Sequence, residues 1–329
     1  MFKVLIIGLG QIGMGYDFSL GDEFVLTHAK AFHLHPRFSL IGGVDPDEKL
    51  CSDFKDRYQC NAFTSIEGAS QSNLTPDIVI ISVPTSHHYC CMQQVFTLFK
   101  PQAILCEKPL AYKMIEAEKM AHLCKKNNAQ LYVNYPRRSQ PSVFVIKKRL
   151  ASGKIKAPVR GVVWYSKGIM HNGSHFVNLL SFWFGQVINT STIGKICELK
   201  SGDVDVDVIV DYKKGSVLFR ALNEDNYSHY GMELYAQNGR LSYDFGGRKI
   251  NWAEANKSKI VPGYTYLSDQ SEEIPSDMDK SQWHVVDQLA KSLNVGQGFV
   301  STADDAIATL KVTGKIAAEA VGLSSKELA

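Results

Sequence analysis

The spacing of apolar residues changes character near residue 150. Over the first 135 positions, apolar runs at 3–7, 38–44, 78–83, 103–105 and 130–133 alternate with helix-length amphipathic segments at 27–35, 47–58, 87–99 and 113–127. Most of these runs are apolar at consecutive positions, so both faces of each strand must be covered. That is the mark of a parallel sheet built from βαβ units. Pro36, Pro76 and Pro101 fall just after a helix segment or just before the next strand, where a helix has to end. Beyond residue 150 strand patterns dominate, at 159–164, 188–199, 204–211, 217–223 and 231–236. The run from Val204 to Asp211 alternates apolar and acidic residues, the period of a sheet with one face in water. Lys213-Lys214-Gly215-Ser216 and Gln237-Asn238-Gly239 carry hairpin-turn chemistry. Helix patterns at 174–184, 279–293 and 304–321 interrupt this half, the last expected to pack back on the first domain.

The pattern predicts an α/β protein: a parallel-sheet domain of βαβ units first, then a strand-rich second domain with hairpin turns and few helices. A length of 329 residues agrees with two domains, and 45% hydrophobic with 21% charged residues is a globular composition. A net charge of +3 without blocks of like charge predicts no nucleic-acid partner, and no apolar window approaches the ~20 residues of a membrane span. The apolar start breaks at glycines rather than at a cleavage site, so it reads as a buried strand and not a signal peptide. Seven cysteines without CxxC spacing are read as reduced, mostly buried thiols of a cytoplasmic protein.

The first strand runs directly into Gly8-Leu9-Gly10-Gln11-Ile12-Gly13, a GxGxxG turn. Glycines there allow a tight turn, close approach of a pyrophosphate to bare backbone, and helix-on-strand packing. The amides at the start of the following helix would face the phosphates. The second strand closes at Asp45, where an acid holds the adenosine ribose diol. Asp45 would repel a 2′-phosphate and has no arginine beside it, so NAD is favoured over NADP. The segment 15–26 lies as a polar insertion between turn and helix, suited to a flap over the site or to an exposed loop or oligomer contact.

With Ile81-Ser82-Val83-Pro84-Thr85-Ser86-His87-His88, Cys106-Glu107-Lys108-Pro109-Leu110 and Asn134-Tyr135-Pro136-Arg137-Arg138 in this order, the chain resembles the Gfo/Idh/MocA oxidoreductases. The resemblance implies an α/β fold with a Rossmann dinucleotide-binding domain over 1–135 and, over 136–329, an α/β domain with an open, mainly antiparallel sheet. It implies hydride transfer between a nicotinamide and a hydroxyl or keto carbon of a sugar, cyclitol or nucleotide sugar. It makes Lys108 the active-site lysine, places Ser82, Pro84, His88 and Glu107 beside the cofactor, and puts Tyr135 and Arg138 near the substrate. It matches His175 to a general acid/base, a task suited to imidazole. Tyr165 and Asn172, flanking the approach to this histidine, are candidate substrate contacts.

Two positions depart from the family pattern. His171 stands where an aspartate is usual, and Asn178 where a further acid is usual. Two imidazolium ions repel, so the His171–His175 pair is not equivalent to a His–Asp pair. Three readings follow: His171 shares the proton work, or Lys108 becomes the principal acid/base while Asn172 binds substrate, or hydride transfer has been lost. A working enzyme with altered substrate geometry is preferred. Members that hydrolyse glycosides with retained NAD, and members that act as ligand sensors, remain the alternatives. The His171/His175 spacing lacks the intervening glutamate of a zinc helix, so no metal is expected. A homodimer or homotetramer is expected by analogy with other open-sheet domains.

Overall fold

The computed structural model describes residues 1–199, 202–296 and 298–322, and the chain divides into two compact units. The first holds β1 (Phe2–Ile7), α1 (His28–Leu34), β2 (Phe38–Val44), α2 (Glu48–Tyr58), β3 (Asn61–Phe63), α3 (Ile66–Gln71), β4 (Ile78–Ile81), α4 (His88–Leu98), β5 (Ala103–Glu107), α5 (Met114–Lys126) and β6 (Gln130–Asn134). The second holds α6 (Pro141–Ser152), β7 (Val159–Tyr165), α7 (Ser174–Phe184), β8 (Val187–Glu198), β9 (Val204–Tyr212), β10 (Gly215–Ala221), β11 (Gly231–Ala236), β12 (Gly239–Asp244), β13 (Lys249–Lys257), β14 (Thr265–Leu267) and β15 (Glu272–Glu273). The chain then adds α8 (Ser281–Val295) and β16 (Ser301–Thr302) to the first unit, and α9 (Ala303–Ala320) follows.

The division differs from the expected boundary. Residues 136–139 and 279–308 group with the first unit, and residues from Thr309 onward group with the second. Only the opening of α9 therefore belongs with the first unit; Ile316, further along it, is fully buried in the second unit's core. The last seven residues assigned to the second domain lie outside the described ones.

In the first unit the strand order is β16-β6-β5-β4-β1-β2-β3, parallel throughout except for β16. Val4, Ile6, Ile78, Ile80 and Leu105 are fully buried, which is why these strands read as continuous apolar runs. Phe32 of α1 and Val286 and Leu289 of α8 complete that core. The chain leaves β1 for β2 on one side and returns to β4 on the other, so the crevice at the ends of β1 and β4 is the switch point where ligands bind in such sheets. β3 and α3 escaped the sequence reading because three and six residues are too short to show a period.

In the second unit the order is β14-β13-β12-β11-β7-β10-β9-β8, antiparallel except where β7 meets β10. Helices α6 and α7 cover one face: Val143, Phe176, Leu179 and Phe184 pack with Val163, Val208 and Phe219. One expectation for this sheet fails. Asp205 and Asp207, read as lying on the wet face of β9, are 1% and 6% exposed.

All seven cysteines are free, and Cys51, Cys91, Cys106 and Cys124 are buried. Among the described residues no helix is long and apolar enough to cross a membrane.

Candidate active site

The glycine turn is built as its spacing predicts, but each glycine answers a different demand. Gly8 has φ +98°, and a Cβ there would stand 2.6 Å from the main chain of Ser82. A Cβ on Gly13 would stand 2.2 Å from the carbonyl oxygen of Gly8. Both are packing requirements inside the domain. At Gly10 a Cβ would meet nothing within 4 Å, so its bareness serves something from outside. An incoming pyrophosphate is the group that such a gap admits at this point of a doubly wound sheet.

A long helix does not follow. Residues Gln11–Gly15 form a single π-type turn, closed by Gly15 N–H to Gly10 O at 3.1 Å and Tyr16 N–H to Gln11 O at 2.9 Å. The amides opening such a turn, like those at a helix start, have no carbonyl behind them within the turn to bond. The insertion then runs to α1 pinned at both ends, neither a free flap nor a bare loop. Buried Asp17 accepts hydrogen bonds from Leu26 N (2.6 Å), Thr27 N (3.0 Å) and Thr27 Oγ1 (2.6 Å). Lys30, also buried, donates to the carbonyls of Leu20 and Gly21. Tyr16 and the tip, residues 19–23, are exposed.

Asp45 follows the last residue of β2. One carboxylate oxygen accepts from Leu9 N at 2.8 Å and the other from Asp47 N at 3.0 Å. Two backbone amides thus fix its direction beside the glycine turn, while a carboxylate keeps further lone pairs for a ribose diol. The open position at Gly10, the oriented Asp45 and the switch-point location together fit a dinucleotide.

After β4, Ser82 Oγ lies 2.7 and 3.1 Å from the carbonyls of Gly8 and Ile7, bracing the turn, and Pro84 is exposed. His88 corrects the sequence expectation. It is 1% exposed, and its ring nitrogens each lie 3.0 Å from a main-chain oxygen, Nδ1 from Leu110 and Nε2 from Val83. Burial lowers its pKa, with the two carbonyls pulling the other way. It ties the loop after β4 to the loop after β5, with both ring nitrogens turned to main-chain oxygens.

The end of β5 carries Glu107 and Lys108. Glu107 Oε1 lies 2.8 Å from His28 Nε2 and accepts from Asn134 Nδ2 at 2.6 Å, while Oε2 accepts from Lys108 N at 3.2 Å. Burial pushes the Glu107 pKa up, but the hydrogen bond and charge of His28, the Asn134 amide and the Lys108 charge outweigh it and leave it lowered. Glu107 was expected beside the cofactor. Its carboxylate instead faces inward, toward His28 and Asn134, and supports the turn that presents half-buried Lys108.

Beyond β6, Tyr135 is buried, and Arg138 binds Asp305 through an Nη2–Oδ2 contact of 2.9 Å. Burial raises the pKa of Asp305, but the charge and hydrogen bond of Arg138, with the bonds from Thr302, bring it below the ordinary value. The guanidinium thereby joins the segment after β6 to the start of α9 within the first unit.

In the second unit, His171 and His175 sit on either side of a junction. Ile169–Gly173 is a π turn and α7 begins at Ser174, so the two histidines are not spaced by one plain α-helical turn. His171 is exposed and His175 is 7% exposed. Two buried acids, Asp203 just before β9 and Asp205 within it, shape this turn. Asp203 accepts from Met170 N (3.1 Å) and His171 N (2.8 Å), and Asp205 accepts from Gly168 N (2.8 Å). Gly168 has φ +84°, and a Cβ there would lie 2.1 Å from Asp203 Oδ2. Burial raises the pKa of both acids, and the backbone amides that face them oppose that rise.

Tyr165 is a second correction. It is fully buried, and its hydroxyl donates to Val206 O at 2.7 Å and accepts from Val206 N at 3.1 Å. It belongs to the core and offers nothing to a substrate. Asn172 donates to Ser166 O and to Tyr230 Oη at 2.9 and 3.1 Å. Asn178 is 1% exposed and donates to Thr309 Oγ1 at 3.1 Å. Sequence reasoning missed His28, Asp203 and Asp205, whose partners lie 79, 32 and 37 residues away. Among the described residues no group of three or more His, Cys, Asp or Glu side chains is placed to hold a metal.

Residues 2–135 match the sequence model of the Gfo/Idh/MocA oxidoreductase family, described as an NAD-binding Rossmann fold. Solved structures share the fold over nearly the whole chain. An oxidoreductase from Agrobacterium radiobacter, in complex with NAD+, L-tartaric acid and magnesium, is 17% identical with TM-score 0.73, over 98% of this chain and 96% of that one. The WlbA dehydrogenase from Bordetella pertussis, in complex with NADH and UDP-GlcNAcA, is 14% identical with TM-score 0.74 over 98% and 96%. A putative myo-inositol dehydrogenase from Sinorhizobium meliloti is 17% identical with TM-score 0.73, over 98% of both chains. No curated protein matches at the level of sequence. The family match is thus confined to the first unit, which it likens to an NAD-binding Rossmann domain.

Proposed function

We propose that the protein is an NAD-dependent oxidoreductase that interconverts a hydroxyl and a keto carbon on a sugar, cyclitol or nucleotide sugar. One observation carries the reading. The bare position at Gly10, the oriented carboxylate of Asp45 and the turn bearing Lys108 follow β1, β2 and β5, at the C-terminal ends of parallel strands.

Gly10, with the amides of Gln11, Ile12 and Gly13, would take the pyrophosphate, and Asp45 the adenosine ribose. NAD, when bound, accepts hydride from the carbinol carbon or, as NADH, returns it. Lys108 holds the substrate oxygen, and its ammonium steadies the negative charge that grows there as the hydroxyl proton leaves. In the second domain, His175 is the candidate general acid/base. The departure at His171 alters the surroundings of that base and so the shape and charge of acceptable substrates. The solved structures with this fold support the substrate class by what their descriptions name: L-tartaric acid, UDP-GlcNAcA and a putative myo-inositol dehydrogenase.

We also infer self-association. β8 is an edge strand with Ile188, Ile193 and Ile196 at 66%, 57% and 54% exposure, an apolar edge that a second copy of the chain would cover.

The test is incubation of purified protein with NAD and a panel of cyclitols, aldoses, uronic acids and nucleotide sugars, with copy number read by light scattering on the same sample. Sustained NADH formation with one class, and a ketone product by mass spectrometry, is the expected result. Glycoside hydrolysis without net NADH would replace this reading with the hydrolytic alternative. NAD binding with no turnover on any class would count for a sensor.

A further inference from the structure

The buried cluster behind Lys108 is larger than a turn needs. Four elements meet there: the first residue of α1, the ends of β5 and β6, and the second residue of α8. Glu107 and Asn134 are register partners at the ends of their strands, so their side chains start side by side. His28 is fully buried and Gln282 is 1% exposed. Asn134 Nδ2 reaches Glu107 Oε1 at 2.6 Å, Gln282 Oε1 at 3.3 Å and His28 Nε2 at 3.5 Å, and His28 Nε2 closes on Glu107 Oε1 at 2.8 Å. The second oxygen of Glu107 accepts the main-chain N–H of Lys108. A buried carboxylate without donors is costly, so this one stays where His28 and Asn134 hold it. Lys108 is bonded directly to the group so held.

We propose that His28 is a positioning residue for Lys108, acting through Glu107. The proposal rests on the reading of Lys108 as catalytic. The chain His28–Glu107–Lys108 N–H fixes the backbone from which the lysine projects. Removing the imidazole lets Glu107 turn toward other donors and releases the Lys108 amide with it. A misplacement of about 1 Å at a reacting group costs on the order of 10²-fold in rate.

The chemistry dictates the variants. His28→Gln places an amide N–H the same number of bonds from Cα as Nε2, and so preserves the bond to Glu107. His28→Leu has similar bulk and no donor. His28→Asn is polar but too short to reach Glu107, and it serves if the leucine variant does not fold. Two measurements apply to each. The first is kcat against the KM for NAD. The second, independent of any substrate, is the rate at which pyridoxal phosphate and borohydride label Lys108, followed by peptide mass spectrometry across pH.

In His28→Leu or His28→Asn, kcat should fall on the order of 10²-fold with KM for NAD nearly unchanged, and the Lys108 labelling profile should shift. His28→Gln should restore both. Wild-type kcat and labelling in a folded His28→Leu or His28→Asn protein would overturn the proposal, as would a glutamine variant no better than leucine. Undiminished turnover in Lys108→Ala would instead overturn the catalytic reading of Lys108. The labelling comparison would still report whether His28 positions its amine.

Discussion

Lys108→Ala is expected to lower turnover by about 10²–10⁴-fold while leaving affinity for NAD within about threefold. The lysine follows β5 on a turn whose backbone is bonded to Glu107, and Glu107 is buried and held by two further side chains. Truncation at Cβ removes the ammonium and leaves that framework in place. The lost interaction matters most when the substrate oxygen carries negative charge, so kcat and kcat/KM should fall together. The check is steady-state kinetics with the oxidised substrate, alongside calorimetric titration of NAD into the variant. Full turnover would remove Lys108 from the chemistry.

Gly10→Val should abolish measurable NAD binding, a loss on the order of 10²-fold or more, and leave the melting temperature within a few degrees of wild type. The argument turns on the difference among the three glycines. A Cβ at Gly10 meets no protein atom within 4 Å, so a side chain there starts in open space and grows toward where a pyrophosphate would enter. Gly13→Val is the control. Its Cβ would lie 2.2 Å from Gly8 O, an overpacking that costs about 1–3 kcal/mol or more and lowers stability directly. Thermal melts of both variants, with and without NAD, separate the outcomes. A Gly10→Val protein that is still stabilised by NAD would refute the placement of the pyrophosphate.

Much of the first domain was legible in the sequence because its strands are buried on both faces. Continuous runs such as Ile78–Ile81 admit few other readings, and glycine and acid at the strand ends mark the crevice. The π turns at Gln11–Gly15 and Ile169–Gly173 left no mark, since i→i+5 bonding has no side-chain period of its own. The acids of β9 were misread for a related reason. Alternation shows that two faces differ, but the loop that folds back onto the acidic face comes from residues 168–171 of the same chain. Polar residues facing such a loop look identical in sequence to residues facing water. His88 and Tyr165 were drawn toward the site by their neighbours, yet each spends its polar atoms on backbone carbonyls or amides. His28 was invisible because the insertion separates it from the glycine turn, and its partners come from later strands and α8.

The most direct test of the account is calorimetric titration of the purified protein with NAD and, separately, NADP. The oriented carboxylate of Asp45 predicts saturable NAD binding and markedly weaker NADP binding, because a 2′-phosphate would meet that charge. NADP bound as tightly as NAD, or no heat with either, would contradict it.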